Sequence, residues 1–345
     1  MISTLDSVVA IGYLAVTVAV GLWMGRNNRN IDDYLLGGRD LPWWAILGSI
    51  VATETSAATL LSVPGTAYRE GGDFGFLQLA IGFILGRILV VLLLLPGYFK
   101  TDLMTAYQLL ETRFGISTRR FASLLFLVPR NLGDGLRLFL TALAMKQAIH
   151  LPLTTCILLT GGVTILYTLF GGLRSVVWSD CAQFVIYLFA AFAMVFVIIQ
   201  RLPGGWSELS AYAAEHDKFR MFHLEWDIKS AYTIWAGIFG GAFLSLASHG
   251  VDQMIIQRCL AARGRKDASR AILASGFIVF GQFALVLLIG VGLACFYARF
   301  PNADGPLGKD EVFATFMVSE LPHGLVGLVV AGIFAAAMST TSSSL

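Results

Sequence analysis

The stretch Gly48-Ser-Ile-Val-Ala-Thr-Glu-Thr-Ser-Ala-Ala-Thr-Leu-Leu-Ser62 lies inside an apolar span that opens at Leu41 and closes at Pro64. It carries a carboxylate, Glu54, and the hydroxyls of Ser49, Thr53, Thr55, Ser56, Thr59 and Ser62. In hydrocarbon every backbone group must be satisfied within the protein, so irregular backbone is tolerated only where it lines a protein cavity. Serine and threonine side chains compete with the helical hydrogen-bond ladder. The stretch therefore predicts a membrane helix broken near Ala52–Ser56, with carbonyl oxygens freed at mid-membrane. Freed carbonyls beside hydroxyls suit a small hard cation, and broken transporter helices use their half-helix ends in this way. Hydroxyls that bond the preceding turn and pack against neighbouring helices explain any two of these residues. Six hydroxyls together with a carboxylate favour the ion-binding reading.

The rest of the chain agrees with a membrane setting. Of 345 residues, 57% are hydrophobic and 13% charged, and the mean hydropathy is +0.74. Soluble domains carry about 25% charged residues. At about 20 apolar residues per crossing, windows qualify at 6–24, 42–62, 74–98, 121–147, 153–171, 176–200, 231–250, 268–297 and 324–345. No basic region precedes the first window, and Arg26 and Arg29 follow it, which marks a span rather than a signal peptide. With the N-terminus outside, the inner loops hold Arg26, Arg29, Arg39, Lys100, Arg113, Arg119, Arg120, Arg174, Arg258, Arg263, Arg265, Lys266 and Arg270. The short outer loops are nearly bare, as the positive-inside rule requires. The basic segment 255–270 reads as a helix end and loop facing lipid headgroups. Cys156, Cys181, Cys259 and Cys295 are scattered and read as small apolar core residues. Walker A, HExxH and GxSxG motifs are absent, and no nucleophile–base pair or metal-ligand set stands in their place, so the chain does not read as an enzyme.

Three further polar sets lie within the apolar spans. The last span ends in Ala335-Ala-Ala-Met-Ser-Thr-Thr-Ser-Ser-Ser344, and Ser339, Ser342 and Ser343 fall at i, i+3 and i+4 on one face. Asp180 sits in Trp178-Ser-Asp-Cys-Ala-Gln183. An intramembrane carboxylate is a functional candidate by default, but pairing with Arg174 at the interface explains it equally. Arg130, Asp134 and Arg137 share a helix face at i, i+4 and i+7, beside Pro129, Gly133 and Gly135, which imply a kink. They read mainly as an ion-pair network whose residual positive charge would attract an anion.

Several of these stretches resemble the sodium/solute symporters. They are Asp33-Tyr-Leu-Leu-Gly-Gly-Arg39, Ser49–Tyr68 with Pro64-Gly65, Gly171-Gly-Leu with Trp178-Ser-Asp180, Asp252-Gln-Met-Ile-Ile-Gln-Arg258, and Ala336-Ala-Met-Ser-Thr340. They occur in family order over nearly the whole chain. The resemblance implies an all-α polytopic membrane protein with the leucine-transporter fold, built from two inverted five-helix repeats. On that pattern 1–30 holds an extra N-terminal helix, 42–200 the first repeat, 201–230 an outer loop, and 231–345 the first three helices of the second repeat. The chain stops within an apolar helix, and we expect a longer, C-terminally truncated protein. Inverted symmetry also requires a second broken helix, expected at Ser245–Gly250.

The resemblance further implies the sites. A first Na+ would be held by the carbonyls of Ala52, Thr55 and Ala336 and the hydroxyls of Ser339 and Thr340. A second would use Asp180, Ser339, Ser342 and Ser343. Solute would contact Ser56, Thr59, Gln78, Ser248 and His249, although the sugar carriers' own residue types differ at most of these positions. Glu54 is left open between solute contact and a buried ion pair. The expected activity is sodium-coupled import of a small organic solute by alternating access. Rivals are a proton-coupled carrier titrating Glu54 or Asp180, and a transporter-like sensor module of a signalling protein. The expected setting is the plasma membrane, as a multi-pass monomer whose partners are the bilayer and the solute rather than nucleic acid.

Overall fold

The computed structural model describes residues 3–25, 30–100, 103–149, 152–227, 230, 232–303 and 305–344. Arg26 and Arg29, counted above among the inner cations, lie outside these. In chain order the helices begin with α1 (Thr4–Gly25), α2 (Ile31–Leu36), α3 (Trp43–Glu54), α4 (Ala57–Tyr68) and α5 (Leu77–Leu89). A π-helical turn, Val90–Leu94, joins α5 to α6 (Leu95–Tyr98). There follow α7 (Gln108–Phe114), α8 (Ile116–Ile149), α9 (Leu153–Arg201) and α10 (Gly205–Glu215). A second π-helical turn, Ala236–Gly240, leads into α11 (Gly241–Gly250). The chain continues with α12 (Gln253–Leu260), α13 (Arg265–Arg299), α14 (Val312–Glu320) and α15 (Leu325–Ser344). Among the described residues five helical stretches are long and apolar enough to cross a bilayer, and α3 with α4 forms a sixth, bent by 66°.

That bend is the predicted break. Thr55 (φ −85°, ψ 110°) and Ser56 (φ −94°, ψ 162°) are extended. The Ser56 hydroxyl accepts from the Thr59 backbone N–H at 3.3 Å, capping the new helix. The sequence therefore both ends α3 and restarts α4. At the C-terminal end of α4, the buried Lys218 ammonium donates to the carbonyls of Ala67 (2.9 Å) and Arg69 (2.8 Å). These are helix-end carbonyls with no intrahelical partner, and burial draws the Lys218 pKa below the ordinary lysine value.

The windows 153–171 and 176–200 run on as α9, but Gly172 (φ 60°, ψ −167°) kinks it between them. A side-chain-bearing residue rarely adopts that positive φ. In contrast α8 passes through Pro129 as one helix of 34 residues. The second break is displaced from its expected place. Helix α11 runs unbroken through Ser245, Ser248 and His249 to Gly250, and the interruption falls at Val251–Asp252. The cause is local: Asp252 accepts from the Met254 N–H at 2.8 Å and so starts α12. Small residues bring α5 onto the stretch before α11. A Cβ on Gly82 would lie 2.2 Å from the Gly237 carbonyl oxygen, the close backbone approach that small residues permit between membrane helices.

Candidate ion and solute site

The break in α3–α4 faces the serine-rich turn of α15. Thr340 Oγ1 lies 3.4 Å from the Thr53 carbonyl oxygen and 3.2 Å from that of Ala336. Ala52, Ala336 and Ser339 are fully buried beside it. The five residues assigned to the first ion thus belong to two facing turns. Thr55 is held by residues that the sequence did not single out. Gln282 Nε2 on α13 donates to Thr55 Oγ1 at 2.6 Å, and the Tyr187 hydroxyl on α9 donates to Gln282 Oε1 at 2.9 Å. An intramembrane glutamine is itself a signal, since an amide in lipid requires partners.

The second set gathers around Asp180, which is completely buried. Ser339 Oγ donates to its Oδ1 at 2.6 Å, and Ser49 Oγ donates to its Oδ2 at 2.5 Å. Ser342 and Ser343 both donate to the Ser339 carbonyl, at 3.0 and 2.6 Å. Asp180 is not paired with Arg174, which instead bonds Asp40 at 2.9 Å. Its partner is Arg258 on α12, Nη2 to Oδ2 3.1 Å. Arg258 is 1% exposed, so the reading of its segment as facing headgroups does not hold for this residue. Burial explains the difference: Arg258 shares its helix with buried Met254, Ile255 and Ile256, and a guanidinium on that face has to find an anion inside.

At the break itself, the hydroxyls of Ser56 and Thr59 are 3.2 Å apart. Glu54, the last residue of α3, forms a direct ion pair with Arg87 of α5. His249 Nε2 lies 3.1 Å from Arg87 Nη2 and 3.6 Å from Glu54 Oε2, and His249 Nδ1 is 2.9 Å from Ser248 Oγ. The carboxylate is thus a member of a buried ion pair. The pair is asymmetric: the Arg87 side chain is 0% exposed and that of Glu54 20%. Ser248 and His249 are linked to this pair, whereas the hydroxyls of Ser56 and Thr59 bond each other at the start of α4. Gln78 is engaged elsewhere. It donates to the Tyr232 carbonyl at 2.8 Å and accepts from the His223 N–H at 3.1 Å, which pins the segment before α11. On α8, Asp134 pairs with Arg130 (3.0 Å) and Arg137 (3.1 Å), the expected network.

Comparison with known proteins gives a consistent picture. The family described as "Sodium:solute symporter family" matches residues 34–345. The chain is 30% identical over 340 residues to the sodium/iodide cotransporter of Homo sapiens, covering 96% of this chain and 52% of that protein. It is 30% identical over 348 residues to the sodium/sialic acid symporter SiaT of Proteus mirabilis, covering 98% and 68%. A solved structure of the substrate-bound outward-open state of a Na+-coupled sialic acid symporter matches with TM-score 0.91 and 30% identity, covering 99% of this chain and 72% of that one. The chain therefore spans 52% of one of these curated relatives and 68% of the other.

Proposed function

Because the chain belongs to the sodium:solute symporter family, we propose that the whole protein imports a small organic solute together with Na+ by alternating access. The observation that carries this reading is the interrupted backbone at Thr55–Ser56, set against the Ala336–Thr340 turn with Thr340 Oγ1 3.4 Å from the Thr53 carbonyl. The carbonyls of Ala52, Thr55 and Ala336 and the hydroxyls of Ser339 and Thr340 supply five oxygens for a hard cation. An ion held there ties α3 to α15, the first half of a broken helix to a helix of the second repeat. It also orders the restart of α4, where Ser56 and Thr59 present their hydroxyls. Ion and solute then raise each other's affinity by the same factor, typically 5- to 150-fold. An inward-negative potential adds about 2.3 kcal/mol per charge per 100 mV.

In this reading Asp180, Ser339, Ser342 and Ser343 form a second ion position. Ser56, Thr59, Ser248 and His249 contact solute, and Gln78 shapes the outer wall through its loop bonds. Residues 1–30 add an N-terminal helix to a first repeat at 42–200, and an outer loop at 201–230 precedes the second repeat at 231–345. A broken helix near the start of each repeat supports that division. The protein works as a monomer in the plasma membrane with its N-terminus outside.

The test is uptake by the full-length protein in proteoliposomes, using a labelled panel of sugars, amino acids, short carboxylates and vitamins at constant pH. Replacing sodium with choline is expected to abolish uptake of the accepted solute. Uptake that survives in choline and collapses with a protonophore would instead establish proton coupling.

A further inference from the structure

We propose that Arg258 is a tethered cation that competes with sodium for the second ion position. Release of its guanidinium would then be the event that lets sodium bind there; this rests on the ion assignment above. The guanidinium occupies the groups that the ion would need. Its Nη2 donates to Asp180 Oδ2 at 3.1 Å and also bonds Ser343 Oγ. Ser343 gives its proton to the Ser339 carbonyl at 2.6 Å and lies 2.9 Å from Thr53 Oγ1. A hydroxyl has one proton and two lone pairs; with the guanidinium on one lone pair and Thr53 Oγ1 crowding the oxygen, Ser343 has at most one lone pair left for a metal ion. Asp180 Oδ2 is likewise shared between Ser49 and Arg258. One buried carboxylate balances one charge, and a second cation added beside the guanidinium would be buried without an anion.

The remaining bonds of Arg258 show what its departure would free. Nε donates to Ser49 Oγ on α3 at 2.6 Å, and Nη1 donates to the Met254 carbonyl in its own helix at 2.7 Å. This one side chain thus fastens α12 to α3, α9 and α15. A cavity of about 90 Å³ reaches it from the side of Tyr34 and Gln257 and is lined there by Ser342 and Ser343. A guanidinium that lets go of Asp180 has that space beside it, and α12 loses its polar tie to α3, α9 and α15 while its apolar packing against α3 remains. Sodium occupancy is therefore coupled to the mobility of the second half of the broken helix. The same side chain sets the affinity of the ion position.

The experiment measures sodium dependence of uptake for the full-length protein in proteoliposomes, with Arg258→Gln and Ser49→Ala beside the unmodified protein. Ser49 is not an assigned ion ligand; it bonds the guanidinium and also donates to Asp180 Oδ2, so its loss both loosens Arg258 and frees a carboxylate oxygen for the ion. Arg258→Gln is expected to lower the half-saturating sodium concentration by at least about five-fold. Ser49→Ala is expected to lower it by a smaller factor, and both should leave the solute KM at saturating sodium within about two-fold, since neither residue contacts solute. If Arg258→Gln does not assemble, Ser49→Ala alone decides. Sodium-dependent uptake whose half-saturation is unchanged or raised in the assembled variants overturns the competition. Uptake by the unmodified protein that does not depend on sodium overturns the ion assignment itself, so the two failures are distinguishable.

Discussion

Ser339→Ala in the full-length protein is expected to raise the sodium concentration for half-maximal uptake roughly ten-fold or more, the equivalent of one hydrogen bond to a charged group at about 1.5–3 kcal/mol. No other side chain is assigned to both ion positions. Its single proton goes to Asp180 Oδ1 at 2.6 Å, which orients the oxygen and leaves its lone pairs for a cation. On the proposed assignment alanine would remove a ligand from both positions. It creates almost no cavity, so the amount of assembled protein should change little. Sodium-dependent uptake read alongside surface expression checks this. Unchanged sodium dependence would remove Ser339 from the site.

Arg87→Leu has a different expected signature. The guanidinium is fully enclosed and its anion is Glu54. Removing one member of a buried pair strands the other and costs about 3–5 kcal/mol, so the variant should be lost from the membrane or melt far earlier in detergent. Replacing both members, Arg87→Leu with Glu54→Leu, should recover much of that loss, because no charge is then left unpaired. The two changes are in contact and will not add. Thermal melting of the detergent-solubilised protein in all three forms checks the coupling. A single variant as stable as the unmodified protein would show that the pair is dispensable for assembly.

The architecture was legible because its signals are local. Apolar windows of crossing length mark the helices, and the hydroxyl-rich run marks the break at Thr55–Ser56; the kink of α9 at Gly172 comes from the structure alone. Two signals compete near the second break. Ser245, Ser248 and His249 looked like a break, yet a helix accommodates such residues when their side chains find partners. The stronger cap, Asp252, set the interruption instead. The ion-pair partners were out of reach for another reason. Asp180 and Arg258 are 78 residues apart, and Ser49 and Arg258 are 209 apart. No periodicity connects them, and charge-counting by loop put Arg258 on the surface. Gln78 was likewise read by position, whereas its bonds run to the segment before α11, which sequence spacing does not bring near.

The claim beneath the whole account is that unwound main chain and two hydroxyls cage a monovalent cation at the centre of the bilayer. A cryo-electron-microscopy map of the full-length protein in saturating sodium, paired with one in choline, tests it directly. The account predicts a sodium-dependent density touching the carbonyl oxygens of Ala52, Thr55 and Ala336 and the hydroxyls of Ser339 and Thr340. A sodium-dependent density elsewhere, or continuous helix through Thr55 and Ser56 with that space unfilled, would contradict it.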